Sequence, residues 1–265
     1  MPGENRGENP GESADRQDGK PFQVIDGDFG RGLVVICDHA SNRIPPALDA
    51  LGLPEAELRR HIAWDIGAAR IAGLLAARFR APAVLCGTSR LVIDCNRDPA
   101  DPASIPTASD GTVIPGNRHL TVWDRTERVA RWFVSYHAAI DDMMLRALAA
   151  RPDLVLVSVH SMTEAMKGIA RPWPVALSWH EDRRLSDPML AALRRRIGES
   201  VGDNQPYGLD PAEDYSVPVH AMRRGLRHLQ VEFRQDLVGE EAGAAHWAAL
   251  FGDALAEVLG ATVNT

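Results

Sequence analysis

Short apolar runs alternate with longer amphipathic stretches from Gly32 onward. "LVVIC" (33–37) and "DLVLVSVH" (153–160) are continuous runs of Val, Leu and Ile, the pattern of strands buried on both faces. "PAVLCG" (82–87), "RLVID" (90–94), "PVALSW" (174–179) and "RHLQVEF" (227–233) are further strand candidates. Between them, the spacing predicts one or two helices over 53–79, with Pro54 near the start. A long amphipathic helix is expected over 124–150, a basic one over 188–200 and a closing one over 246–259. This alternation predicts an α/β fold: a single domain with a mainly parallel mixed sheet and helices on both faces. Such sheets build their ligand crevice beyond the carboxyl ends of the strands. Residues 98–118, rich in Pro, Gly and Asp, form a long loop of the kind that serves as a lid, a binding loop or a disordered segment. Residues 1–20 read as a polar, Gly-rich disordered tail, leaving 21–265 as the domain.

Composition narrows the function classes. The 265 residues are 45% hydrophobic and 25% charged, enough apolar material for a core. A net charge of -7 argues against nucleic acid as a partner, which calls for a basic footprint. No apolar stretch approaches the ~20 residues of a membrane helix, and the N-terminus lacks the apolar core of a signal peptide. Cys37, Cys86 and Cys95 lie in or beside apolar runs and read as buried free thiols. A cytoplasmic protein, monomeric or a small homo-oligomer, is the expectation.

The strand ends carry the chemistry. Asp38-His39 follows "LVVIC"; Asp94 and then Asn96-Arg97 follow "RLVI"; His160-Ser161 ends the 153–160 run. Alternation in the last strand puts Leu229, Val231 and Phe233 on one face and Gln230, Glu232 and Arg234 on the other. On a sheet covered on both sides Glu232 would face the interior. Two histidines and a carboxylate at neighbouring strand ends are the ingredients of a catalytic zinc site, which takes three protein ligands and keeps one position open. Asp65 adds a carboxylate: Ile62, Ile66, Ala69 and Gly73 line up at helical spacing, and Asp65 falls on the same side. A buried acid there calls for a metal or an arginine. His137, inside an amphipathic helix, reads as a core histidine, and "LRRRI" (193–197) as a solvated helix face.

Several ordered blocks, "DHASNRIP", "WDIGA", "SRLVIDCNRDP", "VSVHSM", "DRRL", "GDNQPY", "DYSVPVHA" and "RGLRHLQVEFRQDL", resemble the N-formylglutamate amidohydrolase family over about 32–259. More distantly they resemble the zinc carboxypeptidases. The resemblance implies a zinc-carboxypeptidase-like (phosphorylase/hydrolase-like) fold, one Zn2+ per chain, and cleavage of N-formyl-L-glutamate or a related small anionic N-acyl amino acid. It implies His39 and His160 as zinc ligands and Glu232 as the group acting on water. Arg97 is implied to bind a substrate carboxylate or steady the oxyanion, with Asn96 and Ser161 beside these positions. The third ligand stays open between Asp65, Asn42 and Asp38, because Asn42 stands where the carboxypeptidase pattern has Glu. The first motif reads "DHAS" where better-known members have Pro-His-Ser-Gly, so the resemblance leaves the substrate open within the class. A second substrate carboxylate would call on Arg90, Arg224 or Arg234, with His220, Asn204 and Tyr207 as further pocket candidates. Competing readings are hydrolysis of a small peptide or amino-acid amide, and a catalytically silent binder of amino-acid anions.

Overall fold

The apolar runs become the strands of one sheet. In the computed structural model, which describes residues 20–260, these strands are β1 (Phe22–Ile25), β2 (Leu33–Cys37), β3 (Ala83–Cys86), β4 (Val155–Met162), β5 (Val175–Ser178), β6 (Val201–Asp203) and β7 (Arg227–Arg234). Their spatial order is β1–β3–β2–β4–β7–β5–β6. Strands β3, β2, β4 and β7 run parallel. β1 pairs antiparallel with β3, and β5 pairs antiparallel with β7 and parallel with β6. The tail expected at 1–20 lies outside the described residues except for Lys20.

Helices cover both faces. Leu33 and Val35 of β2, Val157 and Val159 of β4, and Val231 and Phe233 of β7 pack against α1 (Ala68–Phe79), α3 (Ser186–Ile197) and α4 (Glu241–Leu259). The alternate residues Val34, Ile36 and Leu156 meet Tyr136, Ile140 and Met144 of α2 (Ser135–Ala150) on the other face. Every residue of β2 and β4 is buried, which is why those strands carry no apolar–polar alternation in their first halves.

Two expectations are corrected. "RLVID" is not a strand. The Val92 N–H donates to the Ser89 carbonyl and the Asp94 N–H to that of Ser104, so the run folds into turns. Leu91, Val92 and Ile93 are buried nonetheless, in a third apolar cluster with Ile105, Ile114 and Trp132. Periodicity alone does not separate a short buried turn from a short buried strand.

Asp65 is not on a helix. The 53–79 stretch gives a single turn at Glu55–Leu58 and then α1, whose buried stripe is Ala68, Ile71, Ala72 and Leu75 rather than the Ile62–Gly73 line. Gly67 separates Asp65 from α1 with a φ of 85°, and a Cβ there would lie 2.4 Å from the Val238 carbonyl oxygen. Only glycine takes that conformation and that approach together.

The 98–118 loop lines none of the cavity described below. Ile105 and Ile114 sink into the third cluster, and the buried Asn117 amide donates to the Leu91 and Pro106 carbonyls. The long helix is helical from Val122 to Ala150, with wider π-type turns over Val129–Val134.

Candidate active site

The polar strand ends meet in one cavity of about 800 Å³. Its position follows from the pleat. On β4, Ser158 and His160 continue the face of Leu156 toward the carboxyl end. On β7, Gln230 and Glu232 share that face, and the parallel register pairs Glu232 with His160 and Gln230 with Ser158. His39 stands two residues beyond β2, and the Asp65 N–H donates to its carbonyl at 2.9 Å, tying the loop before α1 to this corner.

His39, Asp65 and His160 converge there, with one candidate ligand atom from each within 4.8 Å of the others. Asp65 Oδ2 is 3.3 Å from His39 Nδ1 and 2.9 Å from His160 Nδ1. The far nitrogens face a second layer of carboxylates. His39 Nε2 lies 2.7 Å from Asp94 Oδ1, and His160 Nε2 lies 3.2 Å from Asp38 Oδ2. Those carboxylates are themselves held. Asp94 accepts from the Asn96 N–H at 2.9 Å and from Arg90 Nη2 at 3.0 Å. Asp38 accepts from the Tyr136 hydroxyl at 2.9 Å and the Ser216 hydroxyl at 2.6 Å. A carboxylate that accepts a hydrogen bond from Nε2–H keeps the proton there and leaves the Nδ1 lone pair facing the other ligands, the usual outer layer of a metal-bound histidine. Two imidazole nitrogens and one carboxylate are a catalytic zinc set with a position to spare. The residues present therefore fit a divalent ion.

The charges agree with this. Burial and Arg90 push the His39 pKa down, but Asp94 and Asp65 outweigh them and raise it to about 9. Burial likewise opposes a charged His160, and bonds to Asp38 and Asp65 raise it well above the ordinary value. Asp65, despite burial, is held below the usual carboxylate range by His39 and His160. At pH 7 both imidazoles thus hold protons that an ion must displace. Zinc added to metal-free protein in weak buffer at pH 7 should release protons, and affinity should fall as pH drops below about 9. Zinc uptake without acidification would contradict this arrangement.

Glu232 completes the site. It is buried, lines the cavity and stands beside His160 across the β4–β7 ladder. Burial raises its pKa most; His160 opposes this and Asp65 adds to it, giving about 7.

Other expected residues divide. Arg90, Asn96, Arg97, Ser161, Asn204 and Tyr207 line the cavity. Arg90 is committed to Asp65 and Asp94, and Arg97 to Asp101 at 3.1 Å. Asn96 donates to Asp214, and the Ser161 hydroxyl donates to the Ile66 carbonyl. Five residues, Asp38, Asn42, His220, Arg224 and Arg234, do not reach the cavity lining. The Asn42 amide donates to the Leu58 carbonyl at 2.9 Å. Arg224 pairs with Asp141, and Arg234 with Asp236. His220 is enclosed between Asp141 and His137, 2.8 Å from His137 Nδ1. Asp38 supports His160 from behind rather than joining the three convergent ligand atoms. The contact of Asp94 with His39, and the places of Arg171 and Gln230 on the cavity wall, are not expected from the sequence. Asp94 carries a signal as an acid ending an apolar run beside Asn96-Arg97, and Gln230 one as a neighbour on the Glu232 face; Arg171 carries none.

All three cysteines are free and buried. Among the described residues no helix is long and apolar enough to cross a membrane. A gene product of Agrobacterium tumefaciens with a solved structure is 32% identical and superposes with a TM-score of 0.85, over 92% of this chain and 97% of that one. The N-formylglutamate amidohydrolase of Ralstonia eutropha is 20% identical with a TM-score of 0.66, over 91% of this chain and 97% of that one, a likeness that shows the fold. No curated protein matches. Residues 31–238 match the family model described as N-formylglutamate amidohydrolase. That segment runs from just before β2 to just beyond Glu232 and contains every group of the buried His–Asp–His cluster, so the chain belongs to the N-formylglutamate amidohydrolase family and is a metal-dependent hydrolase.

Proposed function

We propose that the protein hydrolyses the amide of a small anionic N-acyl amino acid, with N-formyl-L-glutamate as the reference substrate, using one Zn2+ held by His39, Asp65 and His160. The observation that carries this reading is the placement of a buried, unusually basic carboxyl, Glu232, beside a closed donor set. A zinc ion in that set would polarise the acyl carbonyl and make a water acidic. Glu232 accepts the proton of the attacking water and returns it to the departing amine, and a pKa near 7 suits a group that must do both. Arg97, fixed by Asp101, opposes charge growing on the carbonyl oxygen. Arg90 acts through Asp65 and Asp94: its two contacts hold one metal ligand and the orienter of another. The second reading, a small peptide as substrate, rests on the size of the cavity, which leaves room beyond a formyl amino acid. A silent binder would have no use for Glu232. The three buried free thiols support a reducing, cytoplasmic setting.

Zinc-loaded protein should release formate from N-formyl-L-glutamate or from another member of a panel of N-formyl amino acids. No release across the panel would contradict the proposal.

A further inference from the structure

Three arginines line the cavity, and they are not equivalent. Arg90 and Arg97 are neutralised by aspartates. Arg171 is 6% exposed and, among the described residues, has no carboxylate within ion-pair distance. It stands at the end of a short hairpin, Ala165–Met166 with Ile169–Ala170, closed by its own N–H bond to the Glu164 carbonyl. Its Nη1 donates to Thr163 Oγ1 at 3.1 Å and its Nη2 to the Tyr207 hydroxyl, with the guanidinium 4.8 Å from the Tyr207 ring centre. Neutral partners fix its orientation and leave its charge uncompensated. A buried cation of that kind is costly unless an anion joins it.

A second observation points the same way. Gln230 is 4% exposed, lines the same cavity, and has a side-chain oxygen with no partner. It lies two residues from Glu232 on the same strand face. A buried acceptor that no protein group donates to is open to a ligand N–H.

We propose that Arg171 anchors the α-carboxylate of the substrate, with Gln230 receiving a ligand N–H, so that the protein reads N-acyl α-amino acids by their common carboxylate and not by an acidic side chain. This rests on the hydrolase reading above. The α-carboxylate lies at a fixed distance from the scissile amide, so a single rigid anchor there also positions the acyl carbon. A side-chain carboxylate hangs on a flexible stem. It would find no second guanidinium free of an aspartate among the described residues that line the cavity, while Asp210, Glu213 and Asp214 on the wall repel it.

The test uses zinc-loaded Glu232→Gln protein, which holds substrate without turning it over. Binding of N-formyl-L-glutamine and of its α-carboxamide analogue is measured with Arg171 present and with Arg171→Met. The substitution should weaken N-formyl-L-glutamine about 10- to 100-fold and leave the analogue, already weak, nearly unchanged. Arg171→Lys, which keeps the charge and guards against misfolding of the first variant, should restore part of the loss for the carboxylate alone. In the active protein, N-formyl-L-glutamate and N-formyl-L-glutamine should give kcat/KM values within about tenfold, the range of a contact worth about 1.4 kcal/mol. Equal losses for both ligands, no binding of either with Arg171 present, or a preference for glutamate of more than about 100-fold, beyond the loss of one charged contact, would overturn the proposal. Carboxylate-dependent binding without formate release would sink the hydrolase reading and leave the anchor standing; release that is indifferent to Arg171→Met would do the reverse.

Discussion

Glu232→Gln should lower turnover by about 10²- to 10⁴-fold, the usual contribution of a positioned acid–base group, while zinc stays at one per chain. Glutamine has the same shape, so the cavity, the β4–β7 ladder and the His–Asp–His cluster are kept. What it removes is a carboxylate able to take a proton and hand it on. Substrate affinity should change little, so the loss should fall on kcat. The pH profile gives an independent check. Glu232 works as a base only when ionised, so activity is present above its pKa and lost as pH falls through it. Its value is about 7 before any ion is added, and a nearby cation lowers a carboxyl pKa, so the acidic limb should lie at or below 7. The variant's residual activity should lack that limb. A variant near full rate would remove Glu232 from its role.

His160→Ala should abolish stoichiometric zinc binding and turnover together. It deletes one of the three proposed ligands and also strips partners from two buried acids, since Asp38 and Asp65 both bond the His160 ring. Breaking a buried charge pair in this way typically costs about 3–5 kcal/mol. The metal-free variant should therefore unfold at lower denaturant than metal-free wild type. His39→Ala should lose zinc likewise, with Asp94 and Asp65 left unpaired. Asn42→Ala should keep both zinc and activity, because its amide is spent on the Leu58 carbonyl. Metal analysis with denaturant unfolding separates these cases, and one-to-one zinc in His160→Ala would contradict the ligand set.

Much of this was legible in the chain, for identifiable reasons. Strands buried on both faces leave continuous apolar runs, so β2, β4 and the alternating β7 were readable, and with them the address of His39, His160 and Glu232. What escaped depends on the third dimension. The approach of Asp65 to two imidazoles is set by a left-handed glycine and a close backbone contact at Val238, neither of which is a periodic signal. Whether an arginine is free or spent is decided by partners distant in sequence. Arg224, a carboxylate-binding candidate by sequence, is claimed by Asp141, 83 residues away, whereas Arg171 is held by neutral Thr163. The fate of "RLVID" turned on Ser89, whose hydroxyl bonds the Ala63 carbonyl and accepts from the Leu91 N–H, folding an apolar run into a turn.

The most direct test of the account is a zinc-loaded crystal measured at the zinc absorption edge. One anomalous peak is predicted, about 2.0–2.2 Å from His39 Nδ1, His160 Nδ1 and an Asp65 oxygen, with both Nε2 atoms still on Asp94 and Asp38. A peak elsewhere, or none in protein that carries one zinc per chain and releases formate, would contradict it.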